Sequence, residues 1–326
     1  MWGNLFFLGI SAEQLTQDEI KWLNLYGAGG IVLFKRNIKS PEQHKNLISQ
    51  IKFEAQKSAN PTSPLICIDM EGGRVAELPQ DQFKSWPVPP SQISEELLYQ
   101  YGFEMGSYLA RLGFRVNFAP CLDVLTEPSN QLIGDRALST NPIEVVKKAK
   151  LLIKGYQDSG ILICAKHFPG HGHTIVDSHF DLPVDHSPLD QIESSHLLPF
   201  KLASDWNVPF FMTAHVLYSS VDKDHPATLS EFFLTKILRD KLGYQGLCLA
   251  DDLDMGALIK NNSPRDIATQ FLKAGGDVLM YCHRNQPPFD IYDHINNFFK
   301  SNQVLAAHSQ LTVLEVEKLK SLLAPL

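Results

Sequence analysis

Eight short apolar runs punctuate the chain: Leu5–Ile10, Ile31–Phe34, Leu65–Ile68, Phe114–Ala119, Ile161–Cys164, Val208–Met212, Leu247–Ala250 and Val278–Tyr281. They are continuous rather than alternating, which marks strands buried on both faces and hence a parallel sheet. Helical patterns separate them. Ser40-Pro41-Glu42-Gln43 sets an N-cap Ser, a Pro at the first helical position and a Gln three residues beyond the cap, with Leu47, Ile48 and Ile51 behind it at helical spacing. Asn141-Pro142 and Ser263-Pro264 repeat that logic, Gly243 closes a helix begun near Ser230, and further helices read over 14–25, 95–112 and 304–323. Eight strand–helix units in one chain predict an α/β fold, a TIM-like (β/α)8 barrel forming a single domain over residues 1–326. A doubly wound open sheet is the alternative. That fold gathers its ligand residues at one switch point, whereas here polar clusters follow at least five different strands.

The composition narrows the function. The chain has 326 residues, 44% of them hydrophobic, and a formal net charge of −7. No Lys/Arg run marks a phosphate-tracking face, so a nucleic-acid partner is not expected. The five cysteines, Cys67, Cys121, Cys164, Cys248 and Cys282, lie in or beside apolar runs without a Cys-x-x-Cys pattern. They read as buried small hydrophobes in a reducing compartment. The N-terminal apolar run is short and lacks a basic flank, and no segment is long enough to span a membrane. The expectation is a soluble cytoplasmic protein with no membrane partner.

The densest polar stretch is Ala165 to Pro183, which follows the fifth strand. Lys166, His167, His171, His173, Asp177, His179 and Asp181 crowd into sixteen residues, with Gly170 and Gly172 among them. Burying so many ionisable groups unpaired is costly, so a loop that carries chemistry is expected. In an extended segment Asp177 and His179 project to one side, which would make them a general acid/base pair. Lys166-His167 at the strand end suits a polyhydroxylated ligand. Zinc ligation by these histidines and aspartates is the competing reading, but the ligands are scattered and no His-Glu-x-x-His is present. Asp251-Asp252-Leu253-Asp254 follows the seventh strand and could bind a metal, share a proton or supply a nucleophile. Alternation admits only one of Asp251 and Asp252 to the site. Asp69 with Glu71-Gly72-Gly73-Arg74, and Arg136 in Ile-Gly-Asp-Arg, supply further groups suited to sugar hydroxyls or phosphate.

Together these motifs resemble the family 3 glycoside hydrolases, specifically the bacterial β-N-acetylglucosaminidases of cell-wall recycling. The matching stretches are Ile68–Val75, Phe118–Val124, Ile133–Arg136, Lys166–Thr174 with Asp177-Ser178-His179, Met212–His215, Pro226–Ser230 and Asp251–Met255. They fall in family order across almost the whole chain. The resemblance implies a retaining double displacement on a terminal N-acetylglucosamine, with Asp251 as nucleophile and His179 as acid/base, partnered by Asp177. It implies that Asp69, Arg136, Lys166 and His167 hold the sugar, and that neither cofactor nor metal takes part. A His in place of the second carboxyl departs from the general glycosidase pattern. The implied substrate is N-acetylglucosamine linked to 1,6-anhydro-N-acetylmuramic acid, with or without peptide, and a monomer is expected. The family usually carries Arg three residues after the position of Arg74, where this chain has Glu77, and commonly Gln at the position of Met70. A β-glucosidase or other β-hexosidase of the same fold, phosphorolysis of the glycosyl-enzyme, and a silent sugar-binding protein are the rival readings. The loop's glycines predict that it swings His179 into the site when sugar binds.

Overall fold

The computed structural model describes residues 2–59, 61–178, 180–260 and 262–322. Each predicted apolar run contains one strand of a parallel sheet: β1 Phe6–Gly9, β2 Gly30–Leu33, β3 Leu65–Ile68, β4 Val116–Asn117, β5 Leu162–Phe168, β6 Phe210–Thr213, β7 Leu247–Leu249 and β8 Leu279–Tyr281. The hydrogen-bonded order is β7-β6-β5-β4-β3-β2-β1-β8. A parallel bridge between Leu249 and Val278 joins the two outer strands, with the Ala250 amide donating to the Val278 carbonyl at 2.9 Å. The sheet is thereby rolled into a nearly closed TIM-like barrel flanked by helices.

Side chains alternate between two cores. Phe7, Val32, Cys67, Val116, Cys164, Phe210, Leu249 and Met280 fill the barrel interior, and Val316 and Leu319 of the helix Gln303–Leu322 join them. Phe6, Ile31, Ile66, Ala165, Phe211, Cys248 and Leu279 point outward into the larger core beneath the helices. Both faces are therefore buried, which explains why the strands read as unbroken apolar runs. All five cysteines are free and buried.

The capping signals hold. The Ser40 hydroxyl accepts from the Gln43 amide at 3.2 Å ahead of the helix Pro41–Ala55. Asn141 and Ser263 cap their helices in the same way. Gly243 and Gly275 have positive φ at helix ends.

Two expectations change. The fifth strand runs on to Phe168 and takes in Lys166 and His167. Polar side chains do not end it because the backbone finds partners: the Lys166 amide donates to Pro120 O at 3.2 Å, and the Lys166 carbonyl accepts from the Leu122 amide at 2.7 Å. The segment after Val176 is not extended. The Asp177 carbonyl accepts from the Phe180 and Asp181 amides at 3.0 and 3.1 Å, so the chain turns there. Among the described residues no helix is long and apolar enough to cross a membrane.

Candidate active site

A cavity of about 310 Å³ opens where the strands deliver their carboxyl ends. Asp69, Arg136, Lys166, His167 and Asp251 all line it. They come from the ends of β3, β5 and β7 and the loop after β4, elements the sequence separates by up to 182 residues (251 − 69). Of the other two expected residues, Asp177 lies in the turn beside Ser178, which lines the cavity, and His179 lies outside the described residues.

One buried carboxylate organises the cationic wall. Glu71 is 3% exposed and takes a bidentate pair from Arg136, with Nη2–Oε1 at 2.9 Å and Nε–Oε2 at 3.1 Å. The Lys166 ammonium lies 2.7 Å from the same Oε1 and also pairs with Asp69. Burial would raise the Glu71 carboxyl, but Arg136 and Lys166 outweigh it and hold it at about 2. Asp69 lies above its ordinary value because burial and Glu71 outweigh Lys166. Arg136 gives a third N–H to Leu132 O at 3.2 Å and a fourth to His167 Nε2 at 3.4 Å. A guanidinium has five donors, so one N–H remains uncommitted.

A second buried carboxylate sets the histidines. Asp123 is fully buried, between Leu122 and Val124. It accepts from His167 Nδ1 at 2.7 Å and from the His171 amide at 2.7 Å. Cys121 Sγ donates to it at 3.2 Å. The hydrogen-bond pattern assigns His167 as the Nδ1–H tautomer, with its Nε2 lone pair toward Arg136. Asp123 lies well below the carboxylate range: burial opposes ionisation, but His167 and its hydrogen bonds prevail. Candidate ligand atoms of Cys121, Asp123 and His167 lie within 4.8 Å of one another. They are committed to hydrogen bonds among themselves, and burial with the Asp123 charge keeps the Cys121 thiol protonated.

His171 and His173 structure the loop. His171 is buried between Thr174 Oγ1 at 2.8 Å and Ser178 Oγ at 3.3 Å. Burial, the largest cause, lowers it to about 4, so it is neutral at physiological pH. His173 Nδ1 meets Thr126 Oγ1 at 3.0 Å. Gly172 passes the β4 loop so closely that a Cβ there would lie 1.8 Å from the Val124 carbonyl oxygen. The Ala257 amide donates to Ser178 O at 3.2 Å, docking the loop on the segment that follows Asp251.

Asp251 and Asp252 part as alternation requires. Asp252 is buried away from the cavity, accepting from the Cys282 amide at 3.2 Å and bonded to His283 Nδ1. Asp251 lines the cavity and accepts from the Asp252 amide at 2.8 Å. Burial raises its carboxyl, yet the combined effect of His215, His167, that amide and Lys166 brings it below the ordinary value. His215 Nε2 donates to Asp252 O at 3.0 Å, and its Nδ1 accepts from Thr228 Oγ1 at 2.7 Å. The result is an ionised carboxylate on the cavity wall, without a hydrogen-bonded cation in direct contact among the described residues. Glu77 also lines the cavity, its Oε2 accepting from the Lys35 amide at 2.8 Å.

Sequence reasoning missed the parts played by Asp123, His215 and His283. Asp123 had a legible signal, a single acid within an apolar run, which must find partners when buried.

A (β/α)8 barrel with carboxylates, histidines and cations gathered around a cavity at the carboxyl ends of its strands has the architecture of a barrel enzyme. Residues 5–318 match the glycosyl hydrolase family 3 N-terminal domain. The chain belongs to that family and is a glycoside hydrolase. It is 33% identical over 298 residues to a beta-hexosaminidase of Alkalilimnicola ehrlichii, covering 88% of this chain and 83% of that protein. A β-N-acetylglucosaminidase from Paenibacillus sp. str. FPU-7 superimposes with a TM-score of 0.92 at 31% identity, over all of this chain and 63% of the other. The present chain thus spans less than two thirds of that longer protein. NagZ from Neisseria gonorrhoeae, solved with N-trifluoroacetyl-D-glucosamine, gives a TM-score of 0.77 at 30% identity over 98% of both chains.

Proposed function

We propose that the chain is an exo-acting β-N-acetylglucosaminidase that removes terminal β-linked N-acetylglucosamine with retention of configuration. The observation that carries this reading is Asp251, a carboxylate kept ionised on the wall of a cavity that it shares with Asp69, Arg136, Lys166 and His167. An ionised carboxylate held by one backbone amide is free to attack an anomeric carbon. Asp69, Arg136, Lys166 and His167 bind the terminal sugar. Asp69 accepts from its hydroxyls, the uncommitted N–H groups of Arg136 and Lys166 donate to them, and the His167 ring steadies Arg136 beside them.

In the first half-reaction the C1–O bond breaks as Asp251 bonds to C1, and His179 gives its proton to the leaving oxygen. In the second, His179 takes a proton from water as that water displaces Asp251. Asp177 orients His179. This assignment rests on the family motif, since the turn at Asp177 removes the argument from an extended segment. The substrate is N-acetylglucosamine linked to 1,6-anhydro-N-acetylmuramic acid, with or without peptide, acted on in the cytoplasm. The likeness to NagZ, solved with N-trifluoroacetyl-D-glucosamine, supports the N-acetylglucosamine part of this reading. Glu77 places an acceptor in the cavity where the family usually has Arg, which favours a hydroxyl donor at that point of the sugar.

Hydrolysis of a chromogenic N-acetyl-β-glucosaminide tests the proposal. Asp251→Ala lowers kcat by about 10³-fold or more without changing the circular dichroism spectrum. His179→Ala slows substrates with poor leaving groups far more than activated ones, and EDTA leaves the rate unchanged. Near-normal turnover by Asp251→Ala would rule out the nucleophile, and loss of activity in EDTA would return metal chemistry to the site.

A further inference from the structure

The opposite end of the barrel carries an unexplained concentration of positive charge. Two cavities, of about 460 and 740 Å³, lie where the chain enters β3 and β4. Lys52 and Arg115 line both, so the two are contiguous around that pair. Lys45 and Arg111 extend the lining on one side and Lys320 on the other. Lys52 belongs to the helix Pro41–Ala55, where Glu54 pairs with Lys57 at 2.7 Å rather than with Lys52. Among the described residues none of Lys45, Lys52, Arg111 or Arg115 has a carboxylate partner. The Lys320 amine, lowered to about 7 by burial against the pull of the Glu317 charge, bonds to oxygens of Asn4, Ala28 and Thr62. Among the described residues Glu317 is the single acid in the lining, where it attracts Lys320 and accepts from Asn4 Nδ2 at 3.1 Å, leaving Lys52 and Arg115 to face each other.

Such segregation is unexpected in a chain of net charge −7. Lys52 and Arg115 are half-buried and repel each other, and burial together with the Arg115 charge lowers the Lys52 ammonium. Like charges brought together without a counter-charge cost stability, and an anion seated between them would reverse that cost. Thr62 and Ser63 add hydroxyl groups. Guanidinium, ammonium and hydroxyl groups together form the donor set that recognises phosphoryl oxygens.

We propose that this groove is a second binding site, separate from the catalytic cavity, for a small anion carrying two or more phosphoryl groups. The four residues of β3 stand between Pro64 at the groove and Asp69 at the cavity, roughly 16 Å at about 3.3 Å per residue. Occupancy of the groove therefore does not require the sugar site.

Titration calorimetry of the full chain with pyrophosphate at low ionic strength tests the site. Saturable binding is expected, weakened about tenfold by Lys52→Gln and by Arg115→Gln. Lys201→Gln, an exposed lysine elsewhere, leaves it unchanged. Pyrophosphate should also raise the thermal midpoint of the unaltered chain and of Lys201→Gln, but not of the Lys52→Gln/Arg115→Gln double variant. The proposal is overturned if pyrophosphate does not saturate. It is equally overturned if Lys201→Gln weakens binding as much as the groove variants do, or if citrate binds as tightly as pyrophosphate.

Discussion

Glu71 holds Arg136 and Lys166 in place from beneath the cavity, and two consequences follow from its burial. Replacing it with Gln leaves two buried cations short of their counter-charge, and breaking such a pair typically costs about 3–5 kcal/mol. Chemical denaturation of Glu71→Gln at pH 7 should show a loss of that order. The second consequence concerns pH. The Glu71 carboxyl sits at about 2 in the folded chain against an ordinary 4.5, so the unfolded chain binds more protons between those values. The stabilisation is complete above the ordinary value and drains away as pH falls towards 2. It amounts to on the order of 3 kcal/mol. Stability of the unaltered chain should therefore fall more steeply between pH 5 and pH 3 than that of Glu71→Gln, and parallel curves would contradict this role. The sequence placed Glu71 in a motif but left its task open. Its partners, Arg136 and Lys166, lie 65 and 95 residues further on (136 − 71 and 166 − 71), and nothing local announces a pairing across that distance. Asp69, Lys166, His167 and Asp251 were easier to find, because each is polar at the end of an apolar run.

The β5 strand and the loop after it form one working unit. The strand carries Lys166 and His167 into the cavity wall, and the loop is pinned to β4 by Asp123 and by the close passage of Gly172. Gly172→Ala cannot be accommodated without moving backbone, because the Val124 carbonyl is fixed in its own loop. Activity on the chromogenic substrate should fall by about tenfold or more while the far-UV spectrum and the thermal transition persist, since only the loop need shift. Unchanged kinetics would show that the loop is not held there. Strand runs and capped helices were legible because burial on both faces and N-cap chemistry leave local marks. The helix Phe289–Ser301 was not read. It is rich in Asn, Asp, His and aromatic residues with low helical preference, and it forms because Ile291, Tyr292, Ile295 and Phe299 bury one face. The short helices Leu189–Ser194 and Leu198–Ala203 were missed for want of length.

Rolling eight strands into a barrel gives the molecule two chemically distinct ends. The carboxyl ends gather residues from β3 to β7 into one cavity, and the amino ends collect the cations of the groove. The first grouping was foreseen from the strand count, since polar clusters after many strands can converge only if the sheet closes. The second was not, because nothing in the sequence links Lys52, Arg115 and Lys320 before the fold sets them side by side. The central claim concerns bond formation at Asp251, and covalent trapping tests it directly. Incubation with a 5-fluoro-N-acetylglucosaminyl fluoride, which forms the glycosyl-enzyme quickly and releases it slowly, should add one sugar mass to the protein. Peptide mass spectrometry should then place that mass on Asp251. Labelling at any other residue, or turnover without a trapped ester, would contradict the account.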